Sequence, residues 1–144
     1  MIKKIMVGLL LIFITIGCRQ NPQHLIILET SDVHGALLPY DFLKDQPADH
    51  GYIAAAYIID SIRSVYGEEN VIYIDCGDLL QGSPVATYYN FNDTLTPHPL
   101  ISVLNSLKLD AFIVGNHDIE QGETVWQRTR KLSQFPWLAA NVIN

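Results

Sequence analysis

Three runs of consecutive β-forming apolar residues punctuate the chain: Leu25-Ile26-Ile27-Leu28, Val71-Ile72-Tyr73-Ile74 and Ala111-Phe112-Ile113-Val114. Unbroken rather than alternating hydrophobicity marks strands covered on both faces, so all three are predicted to be buried strands of a mostly parallel sheet. Between the first two, Ile53, Ala56, Tyr57, Ile58 or Ile59, Ile62, Val65 and Tyr66 recur at helical spacing. They predict an amphipathic helix over Tyr52 to Tyr66 that stops at Gly67. Leu100 to Lys108 and Glu123 to Ser133 read as further helices, and Pro136 leads into a fourth strand over Trp137 to Val142. The order β, α, β, α, β, α, β predicts an α/β fold with helices covering a parallel sheet and ligands bound at the carboxyl ends of its strands.

The amino terminus follows a different pattern. Lys3 and Lys4 precede an uncharged run from Ile5 to Cys18. Such a run makes roughly 21 Å of helix, short of a hydrocarbon core of roughly 30 Å, so residues 1–17 read as a signal peptide rather than a membrane span. Its end, Thr15-Ile16-Gly17-Cys18, resembles the lipobox of bacterial lipoproteins, with Thr15 replacing the usual aliphatic residue. The resemblance implies acylation of Cys18, an extracytoplasmic location and contact with the membrane through the lipid anchor alone. Residues 18–23 then form a polar tether, and the folded domain is expected over residues 24–144.

Composition narrows the function. The 144 residues are 49% hydrophobic and 17% charged, which suits one small globular domain. With a net charge of −6 and no basic cluster beyond Arg128, Arg130 and Lys131, the chain has no footprint for polymeric nucleic acid. Cys18 and Cys76 are its only cysteines. Assigning Cys18 to lipidation leaves no disulfide partner for Cys76, which reads as a small buried hydrophobe.

Each of the first three strands runs into a cluster of ligand-type residues: Ser31-Asp32-Val33-His34-Gly35, Asp75-Cys76-Gly77-Asp78 and Gly115-Asn116-His117-Asp118. One Asp-x-His is common in solvated loops. Three clusters at three adjacent strand ends are not, because such loops converge at one sheet edge, and carboxylates gathered there repel unless a cation lies between them. These motifs resemble those of the calcineurin-like metallophosphoesterases: Asp32-Val33-His34, Gly77-Asp78 and Gly115-Asn116-His117-Asp118 match the family pattern. The longer stretches Glu29 to Gly35, Gly77 to Pro84 and Gly115 to Gly122 are similar to the 5′-nucleotidase and 2′,3′-cyclic-nucleotide phosphodiesterase group.

The resemblance implies two divalent metal ions, with Zn, Mn, Fe and Ca all compatible with the donors. Asp32 and His34 would bind the first, Asp78 would bridge both, and Asn116 would bind the second. It implies that His117 is catalytic and that Glu120, where the nucleotidase subgroup has Asp, orients it. Asp118 is the weaker alternative for that orienting role. The family completes its metal shells with later histidines, whereas no histidine follows His117 in this sequence. The chain is therefore expected to be the amino-terminal half of a metallophosphoesterase α/β sandwich, lacking a carboxyl-terminal segment and exposing an apolar edge and face.

The expected function is hydrolysis of nucleotide or other phosphoesters by a metal-dependent enzyme of 5′-nucleotidase or cyclic-nucleotide phosphodiesterase type, present as an amino-terminal fragment. The alternative is a catalytically silent truncated lipoprotein, or a metal-binding module that needs the missing segment. Bland roles are expected elsewhere. His24, His50 and His98 read as surface or capping side chains, Tyr88, Tyr89 and Phe91 as core, Trp126 and Trp137 as packing anchors, and Asp41, Asp45 and Asp49 as solvated loop carboxylates.

Overall fold

The computed structural model describes residues 24–140. Cys18, the expected signal peptide and tether, and the Asn141-Val142 end of the predicted fourth strand lie outside them. The elements are β1 (Ile26–Thr30), a hairpin of β2 (Tyr40–Asp41) and β3 (Gln46–Pro47), α1 (Tyr52–Tyr66), a 3-10 turn (Glu68–Asn70), β4 (Val71–Asp75), α2 (Pro84–Phe91), α3 (Pro99–Ser106), β5 (Ala111–Ile113), α4 (Asn116–Glu120), α5 (Glu123–Leu132) and β6 (Trp137–Leu138). The main sheet has the order β1-β4-β5-β6 with every neighbouring pair parallel. The α/β expectation holds, and α1 has the predicted bounds. The hairpin, α2 and α4 are additions that hydrophobic periodicity did not reveal.

Strands laid side by side in chain order and joined by right-handed crossovers place all their connecting helices on one face. One core accordingly unites Tyr73 and Phe112 of the sheet with Ile59 of α1, Leu100, Ile101 and Leu104 of α3 and Val125 of α5. The other face carries Leu25, Ile27, Ile113 and Leu138, which are 63%, 63%, 40% and 48% exposed. The expectation that the first three strands are buried on both faces is thus corrected: β1 and β5 are covered on one side only. The apolar face expected from the sequence is present.

Several side chains depart from their expected roles. Only Tyr52 and Ile59 of α1 are fully buried, while Ile53, Tyr57, Ile58, Val65 and Tyr66 face solvent, because the helix meets a single layer along one narrow stripe. Tyr88 and Phe91 are exposed rather than core, since α2 turns Ala86 and Asn90 inward instead. Cys76 is half-buried and its thiol donates to Glu29 Oε1 over 3.2 Å, so it is not a plain hydrophobe. Burial, and then the bond to Glu29, push that thiol up to about 11, so it stays protonated at neutral pH. Trp137 packs against Phe112 with ring centroids 4.7 Å apart and acts as the anchor expected of it.

His98 is 1% exposed rather than a surface residue. Its Nε2 meets Asn90 Oδ1 at 3.2 Å, and Asn90 in turn donates to the Leu80 carbonyl over 2.7 Å. Its Nδ1 is buried without a partner. Burial, helped by the Arg128 charge, lowers its pKa from 6.5 to about 4. The unfolded chain therefore takes up a proton that the folded chain refuses. Stability contributed by neutral His98 is complete above pH 6.5 and falls as pH drops toward about 4, by about 3 kcal/mol. Urea unfolding of His98→Gln across this interval is expected to lack that share of the acid-side loss. An unchanged pH dependence would refute it.

Candidate metal centre

The sheet register sets the site. Thr30 pairs with Asp75 across β1 and β4, and Asp75 with Phe112 across β4 and β5, so the three ligand-rich loops leave one edge at one level. The loops are then tied together by backbone. Asp32 N–H donates to Gly77 O and His34 N–H to Asp78 O, both over 3.0 Å. Gly77, at φ 89°, and Gly115 let the β4 and β5 loops touch: a Cβ on Gly77 would lie 2.4 Å from Gly115 N, and one on Gly115 would lie 2.2 Å from Asp78 Oδ1. No other residue type fits at either position.

Asp32, His34 and Asp78 each offer a ligand atom, and all three atoms lie within 4.8 Å of one another. Their backbones share an uncommon conformation. Asp32, His34 and Asp78 have φ of 52°, 49° and 56°, among just five non-glycine residues with positive φ in the described structure. Left-handed backbone costs energy in ordinary residues and tends to mark functional sites, where surrounding bonds enforce it. His34 Nδ1 lies 3.2 Å from the Gln81 carbonyl, which can only accept. That bond fixes the proton on Nδ1 and leaves the Nε2 lone pair free for a cation. The donor set of two carboxylates and one imidazole therefore fits a divalent metal.

Asn116 opens α4 between two residues that touch Asp78. Gly115 abuts it, and the backbone N–H of His117 donates to Asp78 Oδ1 over 2.9 Å. Asn116 Nδ2 donates to Glu120 Oε1 at 3.3 Å, which leaves its amide oxygen without an intraresidue competitor for a cation. The His117 ring centroid stands 5.5 Å from that of His34, and its Nδ1 is 2.8 Å from Glu120 Oε2. The longer side chain of Glu120 thus reaches the imidazole, and bonds from His117 and then Asn116 hold its carboxyl below the usual range.

Asp118, the weaker alternative for orienting His117, and Asp75, which had no assigned role, support this edge instead. Asp118 is fully buried and accepts four backbone N–H bonds: from Gly115 and Asp78 at Oδ2, and from Leu79 and Leu80 at Oδ1, over 2.8 to 3.0 Å. It clamps the β4 loop to the β5 loop and makes no bond to His117. Burial raises its pKa against the pull of those four donors. Beneath them, Asp75 Oδ2 accepts from Thr30 and Tyr52 hydroxyls at 2.6 Å, and Oδ1 accepts from Gly77 N–H at 2.9 Å. Burial lifts the Asp75 carboxyl, and burial followed by the Asp75 charge holds the Tyr52 phenol well above its ordinary range. For Asp75 the sequence signal was present: a carboxylate at the end of an otherwise apolar strand.

A parallel α/β sheet with Asp, His and Asp donors gathered at its carboxyl edge defines a metallophosphoesterase-type domain. The chain belongs to the calcineurin-like phosphoesterase family, whose pattern matches residues 25–143. It is 38% identical over 126 residues to the trifunctional nucleotide phosphoesterase protein YfkN of Bacillus subtilis (strain 168), covering 83% of this chain and 8% of that protein. It is 31% identical over 121 residues to the 2′,3′-cyclic-nucleotide 2′-phosphodiesterase/3′-nucleotidase of Yersinia enterocolitica, covering 82% of this chain and 18% of the relative. The crystal structure of the calcineurin-like phosphoesterase YfkN from Bacillus subtilis superimposes with a TM-score of 0.71 at 36% identity, over 80% of this chain and 36% of that one. The chain thus spans a minor part of the length of each of these relatives.

Proposed function

We propose that this chain supplies the first ligand half of a metal-dependent phosphoester hydrolase acting on nucleotides. The observation that carries the reading is the Asp32, His34 and Asp78 cluster, held by strained backbone at the sheet edge. Asp32 and His34 would hold one cation, Asp78 would bridge it to a second, and Asn116 would ligate the second through its amide oxygen. Cations there supply positive charge to a phosphate group and Lewis acidity toward the attacking water. When doubly protonated, His117 would donate Nδ1–H to Glu120 and present Nε2–H to a phosphoryl oxygen or deliver that proton to the leaving oxygen. Glu120 orients the ring through that bond.

A second reading rests on the donor count. With Asp78 and Asn116 as its assigned ligands, the second cation would have two protein donors, fewer than the three that a catalytic zinc site keeps. In that reading the chain binds metal without catalysis. Both readings are tested by adding Mn²⁺ to the full chain, recording the free-ion electron paramagnetic resonance signal, and assaying release of phosphate from 3′-AMP and 5′-AMP and ring opening of 2′,3′-cyclic AMP. Binding with turnover supports the hydrolase, binding without turnover supports the module, and no binding refutes both.

Among the described residues no helix is long and apolar enough to cross a membrane. From the lipobox-like end of the leader we propose that the chain attaches to the membrane through acylated Cys18 on the extracytoplasmic side. Labelled palmitate is expected in the wild-type chain and absent from Cys18→Ala. Equal labelling of both would exclude it.

A further inference from the structure

Helix α2 is tied at both ends to the loops of the metal centre. At its amino end Ser83 Oγ accepts from Ala86 N–H over 3.0 Å, and the same hydroxyl donates to the carbonyl of Gly35, the neighbour of His34, over 2.8 Å. Toward its carboxyl end Asn90 is 2% exposed and donates through Nδ2 to the Leu80 carbonyl over 2.7 Å. Leu80 N–H is held in turn by Asp118 over 3.0 Å. Residues 80–83 are thus pinned at both ends. Between the pins stands the Gln81 carbonyl that receives the proton of His34 Nδ1.

The Asn90 amide must be turned the right way for this, and His98 turns it. With Nδ2 committed to Leu80, Asn90 Oδ1 faces His98 Nε2 at 3.2 Å. Oδ1 can only accept, so Nε2 carries the proton of the neutral ring and donates it. Nδ1 is then an acceptor, buried without a partner. Such an orphan is rare in a folded protein and calls for a reason. A leucine at this position would bury no orphan, but Asn90 Oδ1 would lose its donor and the amide would be free to rotate. His98 is itself fixed from outside the metal centre, at the start of α3, where its carbonyl accepts from Ser102 N–H over 3.0 Å and Pro99 follows.

We propose that His98 and Asn90 are positioning residues of the metal centre: together they hold residues 80–83 so that the Gln81 carbonyl keeps the His34 proton on Nδ1 and leaves Nε2 free for a cation. This role rests on the metal-centre reading above and deepens it by extending the support of one ligand across α2 to the start of α3. Partners that fix the tautomer of a ligating imidazole also set its basicity, so metal affinity depends on them.

The test uses the full chain with nitrogen-labelled histidine. Long-range proton–nitrogen correlation spectra, taken without metal and above the titration range of histidine, report which nitrogen of His34 carries the proton. Wild type is expected to show the Nδ1–H form. His98→Leu is expected to show a mixture of both tautomers and Mn²⁺ affinity about tenfold weaker, the lower end of the effect of a group that acts on a ligand through its partner. Asn90→Asp, which keeps the acceptor for His98 but loses the donor to Leu80, should match it. His98→Gln, whose amide nitrogen can stand where Nε2 stood, should retain the wild-type tautomer and affinity. A wild-type tautomer or a wild-type Mn²⁺ affinity in folded His98→Leu, or losses in His98→Gln equal to those in His98→Leu, would overturn the proposal and leave His98 a packing residue. Failure of Mn²⁺ to bind the wild-type chain would refute the metal reading, while the tautomer comparison would still decide the role of His98 and Asn90.

Discussion

Asp78→Asn is expected to weaken Mn²⁺ binding to the full chain by about 100-fold or more while leaving the fold intact. Asparagine has nearly the shape of aspartate, and its amide oxygen can still accept the backbone N–H of His117, now 2.9 Å from Asp78 Oδ1. What it loses is the negative charge, at a residue that contacts both the β1 loop, through its carbonyl, and the β5 loop, through its carboxylate. Loss of a partner that merely orients a ligand costs roughly 10 to 100-fold in metal affinity, so removing a ligand charge belongs at or beyond the upper end of that range. The same variant should lose any Mn²⁺-dependent nucleotide hydrolysis. Unchanged Mn²⁺ affinity, read by electron paramagnetic resonance, would remove Asp78 from the centre.

How much of the molecule is legible in its sequence follows the range of the interactions involved. Helix α1 was legible to its ends because its signals are local: Tyr52 begins the apolar repeat, and Gly67 stops it at φ 86°. The ligand clusters were legible because each is a short motif directly after a strand. Which faces the strands bury was not, since the bare face carrying Ile27 and Ile113 follows from strand order, a property of the whole sheet. The hairpin escaped notice because it has two strands of two residues each, too short for any periodicity. His98 looked like a capping residue before Pro99, and its burial depends on Asn90, Tyr89 and Arg128 from other elements.

Asp118 shows the same limit with the largest expected effect on stability. Its place in Gly115-Asn116-His117-Asp118 suggests a role toward His117, yet its four bonds all go to backbone N–H groups of two loops. In Asp118→Ala those buried donors lose their acceptor. Each unsatisfied group costs roughly 1 to 3 kcal/mol. Water entering the space left by the carboxylate recovers part of this, so the net loss is expected at about 4 kcal/mol by urea unfolding, a large share of the roughly 5 to 15 kcal/mol typical of a domain. Asp118→Asn keeps one acceptor oxygen but turns an NH₂ group toward two of the donors, so about half that loss is expected. Because the clamp also holds Asp78 in its left-handed conformation, Mn²⁺ affinity of the folded Asn variant should fall even though residue 118 is not a ligand. A stability change under about 1 kcal/mol in Asp118→Ala would show that the two loops are held by other means, with their glycine contacts and the Asp75 network the remaining candidates.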